Sequence, residues 1–66
     1  MERAQQHGGA TAAAWSHAGY RALRRRELLE MRTLQAEATD RDLHDILRRR
    51  ADRLADELRR AEVIYR

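Results

Sequence analysis

Along the first half of the chain the apolar side chains Tyr20, Leu23, Met31 and Leu34 recur at three- and four-residue spacing, with Glu27 at the centre of their stripe. That period puts them on one face of an α-helix. The pattern restarts with Leu43, Ile46, Leu47, Leu54, Leu58, Ala61, Ile64 and Tyr65, and Arg50 interrupts it at mid-length. Between the two stripes, Thr39 and Asp42 have the spacing of a capping signal, in which the hydroxyl accepts an orphan backbone N–H of the first helical turn. Asp40, Asp42 and Asp45 crowd the start of the second segment and Arg59, Arg60 and Arg66 its end, so both ends complement the helix dipole. The pattern predicts two helices, near residues 12–38 and 40–65, joined at Ala38 to Asp40.

Folding the chain back at that joint brings the two stripes face to face. Leu34 then lies opposite Leu43, Met31 opposite Ile46 or Leu47, and Leu23 opposite Leu54. The same register sets Glu27 opposite Arg50, so the two charged interruptions are expected to pair across the seam. A single straight rod leaves that coincidence unexplained. The expected seam is therefore Tyr20, Leu23, Glu27, Met31 and Leu34 against Leu43, Leu47, Arg50, Leu54 and Leu58.

Composition agrees with an all-α reading. The 66 residues include no proline and no phenylalanine and only three glycines, and the remainder is dominated by strong helix formers. Residues 1–10, with Gly8 and Gly9 adjacent and no apolar period, are expected to form a flexible tail, leaving residues 11–66 as the helical hairpin. Gly19 inside the first helix costs about 1 kcal/mol relative to alanine and is tolerated. There is no cysteine, which excludes disulfides and thiolate metal sites as sources of stability. A chain this short commonly needs staples or a partner.

A second stripe on the first helix supplies a reason for such a partner. Trp15, Ala22, Leu29 and Ala36 recur every seven residues, with Ala18 beside them, on the face away from Tyr20 and Leu34. Small alanines let another helix approach closely. Two antiparallel hairpins are expected to pair through such surfaces into a four-helix bundle, a homodimer.

The stretch "AEATDRDLHDILRRRADRLADEL" resembles the A-T-D turn and following L-x-x-x-A-x-x-L helix of uncharacterised small two-helix proteins common in high-GC Gram-negative bacteria. The likeness covers residues 20 to 61 and specifies a turn rather than a chemistry. Length and the helix-turn-helix plan are also similar to the Rop family of plasmid RNA-binding four-helix-bundle dimers, in which "LHD" and "ADEL" recur. That resemblance implies a dimeric bundle and RNA binding. The basic and aromatic face which that family carries on its first helix has no clear counterpart here.

Charge refines the choice of partner. All fourteen basic side chains are arginine and lysine is absent, a bias read first as the codon usage of a high-GC genome. The triplets at 24–26 and 48–50 make Arg24, Arg25, Arg48 and Arg49 candidate contacts for nucleic-acid phosphates. Yet the net charge is only +3, and acids sit at helical spacing from many arginines, as Asp45 does from Arg49, Glu30 from Arg26, Asp56 from Arg60 and Glu62 from Arg66. His7, His17 and His44 make no metal constellation, and no catalytic grouping or phosphate loop can be assembled, so neither cofactor nor enzymatic activity is expected. No apolar run approaches the roughly 20 residues of a membrane span, and the N-terminal stretch does not read as a signal peptide. The expectation is a cytoplasmic, non-enzymatic adaptor or accessory subunit with a protein partner as well as its own copy; the alternative is a Rop-like nucleic-acid-binding regulator using an arginine band.

Overall fold

A computed structural model describes residues 12–66; the tail expected over residues 1–10 lies outside the described residues. The described chain holds three helices, α1 (Ala12–Trp15), α2 (Ala18–Glu37) and α3 (Arg41–Ile64), and no strand. α2 and α3 form a long antiparallel hairpin, and α1 folds against its open end.

The continuous helix expected from residue 12 is broken at Ser16 and His17. There the Ser16 hydroxyl donates to the Ala13 carbonyl at 2.6 Å, while the His17 N–H turns back to Ala14 at 3.1 Å. A serine hydroxyl that takes up a carbonyl of the previous turn competes with the helical ladder. His17 adopts an extended backbone, φ −84° and ψ 123°, and α2 starts afresh behind it.

The turn between the long helices falls where the sequence places it, but its cap differs. Asp40, not Thr39, caps α3: its carboxylate accepts from the N–H groups of Asp42 at 2.8 Å and Leu43 at 3.4 Å. Asp40 is the last extended residue, φ −85° and ψ 126°, so its short acidic side chain meets the first-turn donors and adds a negative charge to the positive end of the dipole. α2 ends without glycine; Ala38 is extended and its N–H donates to Gln35.

Packing is uneven between the two partners. α3 contributes the buried residues Ala51, Leu54, Leu58 and Ala61, all below 5% exposed, in a row extended toward the turn by half-buried Leu47. The spacing is that of a coiled-coil seam. α2 answers with half-buried Tyr20, Arg24, Glu27, Leu28, Met31 and Gln35 and buries no residue fully. Of the expected seam, Leu54 and Leu58 are buried and Tyr20, Glu27, Met31 and Leu47 half-buried. Leu23, Leu34, Leu43 and Arg50 are exposed on the single hairpin.

Register and helix rotation account for this redistribution. Arg32 pairs with Asp52 at 3.0 Å and Arg25 with Glu62 at 2.6 Å, whereas a register counted from the turn sets Arg32 beside Asp45 or Ile46. Both bridges, and the Arg21 contact to the Tyr65 carbonyl at 3.4 Å, lie about two to three turns farther along α3. α3 is also rotated so that Ala51 rather than Arg50 takes the central inward position. The Ala51 methyl lets the helix backbones close on one another, while a guanidinium there carries a large desolvation cost.

Candidate interaction surfaces

At the open end of the hairpin, α1 is held by aromatic rings and guanidinium groups. Trp15 meets Tyr20 edge-to-face, with ring centroids 5.1 Å apart and an interplanar angle of 86°. Arg24 lies over both rings, 5.9 Å from Trp15 and 5.8 Å from Tyr20. Arg21 donates to the carbonyls of Trp15 at 2.9 Å and Ser16 at 2.8 Å and stacks over the Tyr65 ring at 5.7 Å. The Tyr65 hydroxyl donates to the Ala12 carbonyl at 3.2 Å. Arg21 thereby satisfies the carbonyl at the C-terminal end of α1, the Tyr65 hydroxyl adds a second donor to the Ala12 carbonyl beside the Ser16 N–H, and these contacts tie both ends of the described chain together. Behind α1 lies an open cleft of about 220 Å³ whose lining includes Trp15, Glu57, Arg60 and Ile64.

This arrangement removes Trp15 from the stripe in which the sequence set it. The break at Ser16 turns its ring toward Tyr20 and α3. Ala18, Ala22, Leu29 and Ala36 remain on the outer face of α2, all exposed, Leu29 to 68%. Leu29 borders an open groove with Arg26, Glu30, Thr33 and Leu34.

The expected pairing of Glu27 with Arg50 does not form. Glu27 accepts from Arg24 of its own helix, one turn back, and Arg50 is exposed. Facing residues are not set by the turn alone: the side chains meet farther along α3, as the Arg32–Asp52 and Arg25–Glu62 bridges show. A double-mutant cycle in thermal or urea unfolding is expected to find coupling of about 0.5 kcal/mol between Arg24→Leu and Glu27→Leu, the scale of a partly exposed pair. The cycle of Glu27→Leu with Arg50→Leu is expected to be additive, and coupling there would restore the turn-centred register.

The same offset disperses the proposed arginine band. Arg24 is directed at the aromatic rings and Glu27, and Arg25 is bridged to Glu62. Arg48 and Arg49 lie exposed about 20 Å nearer the turn, at 1.5 Å rise per residue. The two triplets therefore do not meet across the hairpin. Asp56 bridges Arg59 at 2.6 Å and Arg60 at 3.1 Å, which leaves a surface of mixed charge along the outside of α3.

Among the described residues no group of three His, Asp or Glu side chains is placed to hold a metal ion, and no helix is long and apolar enough to cross a membrane. Comparison with protein families, with curated proteins and with solved structures gives no match. One contributor to this end of the molecule, Arg21, was not singled out by sequence, whereas Tyr65 was placed in the second stripe without its contact to α1. Tyr65 continues the row of Leu58 and Ala61 at three- and four-residue spacing, and no comparable periodic signal marks Arg21.

Proposed function

We propose that this chain is a small, non-enzymatic interaction module that works through helix packing, with two hairpins pairing as a homodimer into a four-helix bundle that serves as an adaptor or accessory subunit for a protein partner in the cytoplasm. One observation supports this reading above the others. Among the described residues the hairpin buries only Ala51, Leu54, Leu58 and Ala61, while Leu23, Leu29, Leu34, Leu43, Ile46, Val63 and Ile64 are each 48–68% exposed. Single exposed leucines are ordinary, but this chain exposes more large apolar side chains than it buries. Covering such a surface is the main favourable term in association.

Sedimentation equilibrium at micromolar concentration tests the proposal. The expected species has twice the 7.8 kDa chain mass, and its thermal midpoint rises with concentration. A monomer across the whole concentration range would sink the bundle.

A second reading, nucleic-acid binding, draws support from exposed Arg48, Arg49, Arg50 and Arg53, the last three of which line one open groove with Ile46. Guanidinium groups without a carboxylate partner are free to contact phosphates. An electrophoretic shift measured at two salt concentrations separates the readings: binding that survives the higher salt favours the regulator, and its absence favours the adaptor.

A further inference from the structure

One flank of the hairpin differs from all other surfaces of the described chain. On α3 the residues just before the buried row, Leu43, Ile46, Arg50 and Arg53, recur at three- and four-residue spacing, and the stripe continues into Glu57, Arg60 and Ile64 beneath α1. On α2 the matching flank is Leu23, Glu27, Glu30 and Leu34. The opposite flank of the hairpin is closed by the Arg25–Glu62 and Arg32–Asp52 bridges. The flank described first has no such bridge. Its apolar members Leu34, Leu43 and Ile46 cluster toward the turn and are each about half exposed. Farther along, Glu30 stands on the α2 side and Arg50 and Arg53 on the α3 side, and none of the three has an ion-pair partner among the described residues.

We infer that this flank is where a second copy of the chain packs, with the two-fold axis parallel to the helices and both turns at the same end, so that α2 of each copy lies over α3 of the other. This rests on the homodimer proposed above and adds its geometry.

Charge decides between the two ways of closing such a pair. An isologous interface must be complementary to itself, and this flank is acidic on one helix and basic on the other. A two-fold axis along the helices sets Glu30 of each copy at the level of Arg53 of the other, the register of the Arg32–Asp52 bridge, and gathers the half-exposed Leu34, Leu43 and Ile46 of both copies at the same turn end. An axis across the helices lays α2 on α2 and α3 on α3. That arrangement faces Arg50 and Arg53, near the middle of α3, with their own copies, and it carries the bare leucines of one turn onto the α1-covered end of its partner. Like charges opposed across an interface are strongly unfavourable. The chosen arrangement also leaves the Leu29, Ala22 and Ala36 face of α2 outward, open to a different protein.

Sedimentation of Glu30→Arg, Arg53→Glu and an equimolar mixture of the two provides the test. Both positions are exposed, and circular dichroism confirms that each variant retains its helix content. Each variant alone opposes like charges at both symmetry-related contacts, and its dimer dissociation constant is expected to rise about tenfold or more. Mixing them restores opposite charges at both contacts, so the heterodimer should form with an affinity near that of the unaltered chain. Leu29→Glu should leave dimerisation unchanged. Singles that bind as tightly as the unaltered chain, a mixture no better than either single, or a dimer dissolved by Leu29→Glu would each overturn the arrangement while leaving the homodimer intact. A monomeric unaltered chain would overturn both.

Discussion

Truncating Leu58 to alanine is expected to cost about 2–5 kcal/mol and to lower the urea midpoint by a large fraction of its value. Leu58 is 3% exposed at the centre of the α3 row, and little else is buried that could repack around the lost volume. A folded chain of this length holds only about 3–10 kcal/mol in total, so one core leucine is a large share. Far-UV circular dichroism with urea titration reads the result directly. Leu29→Ala provides the contrast: at 68% exposure its effect on the hairpin is expected within about 0.5 kcal/mol. If Leu58→Ala melts as the parent does, α3 does not present this row to α2.

Enlarging Ala51 should be the next most damaging change, at about 1–3 kcal/mol for Ala51→Leu. No part of Ala51 is exposed, and it stands where the helices approach over a methyl group. A leucine there must either leave its preferred rotamer or push α2 away, and the second response also loosens the Arg32–Asp52 bridge on the flank beside it. The variant matters because the turn-centred register places Arg50, not Ala51, in the seam. Under that register Ala51 lies to one side, and a leucine there would be neutral or would widen the apolar face to advantage. Urea unfolding of Ala51→Leu beside Arg50→Leu, at a concentration low enough to leave the chain monomeric, therefore discriminates the two: the first should destabilise, and the second should change the hairpin's own stability little because Arg50 is exposed on it.

The buried row of α3 continues the logic of a seam into the ends of the molecule. Its C-terminal continuation, Tyr65, meets Arg21 and α1, and its turn-ward member Leu47 is only half covered. Burial thus falls off toward the turn, where Leu34, Leu43 and Ile46 are exposed. The open end is closed by the chain's own α1, and the turn end is the part of the hairpin that a second copy completes in the proposed dimer.

By itself the sequence determined the class of the fold, the existence of two long helices and the position of the turn, because apolar period, lack of proline and an acidic helix start are local signals that act within a few residues. It also placed Leu54 and Leu58 in the second stripe. The level at which the two helices meet was decided only by the tertiary structure. There Arg25 and Arg32 reach Glu62 and Asp52, Ala51 rather than Arg50 faces the seam, Leu23, Leu34 and Leu43 are turned outward, and Glu27 accepts from Arg24. Two local competitions were equally beyond the pattern: the Ser16 hydroxyl against the helical ladder, and Asp40 against its neighbour Thr39 for the same N–H groups. Each turns on a difference of about 1 kcal/mol between adjacent hydrogen-bond choices, and periodicity carries no information about such a difference until the backbone is in place.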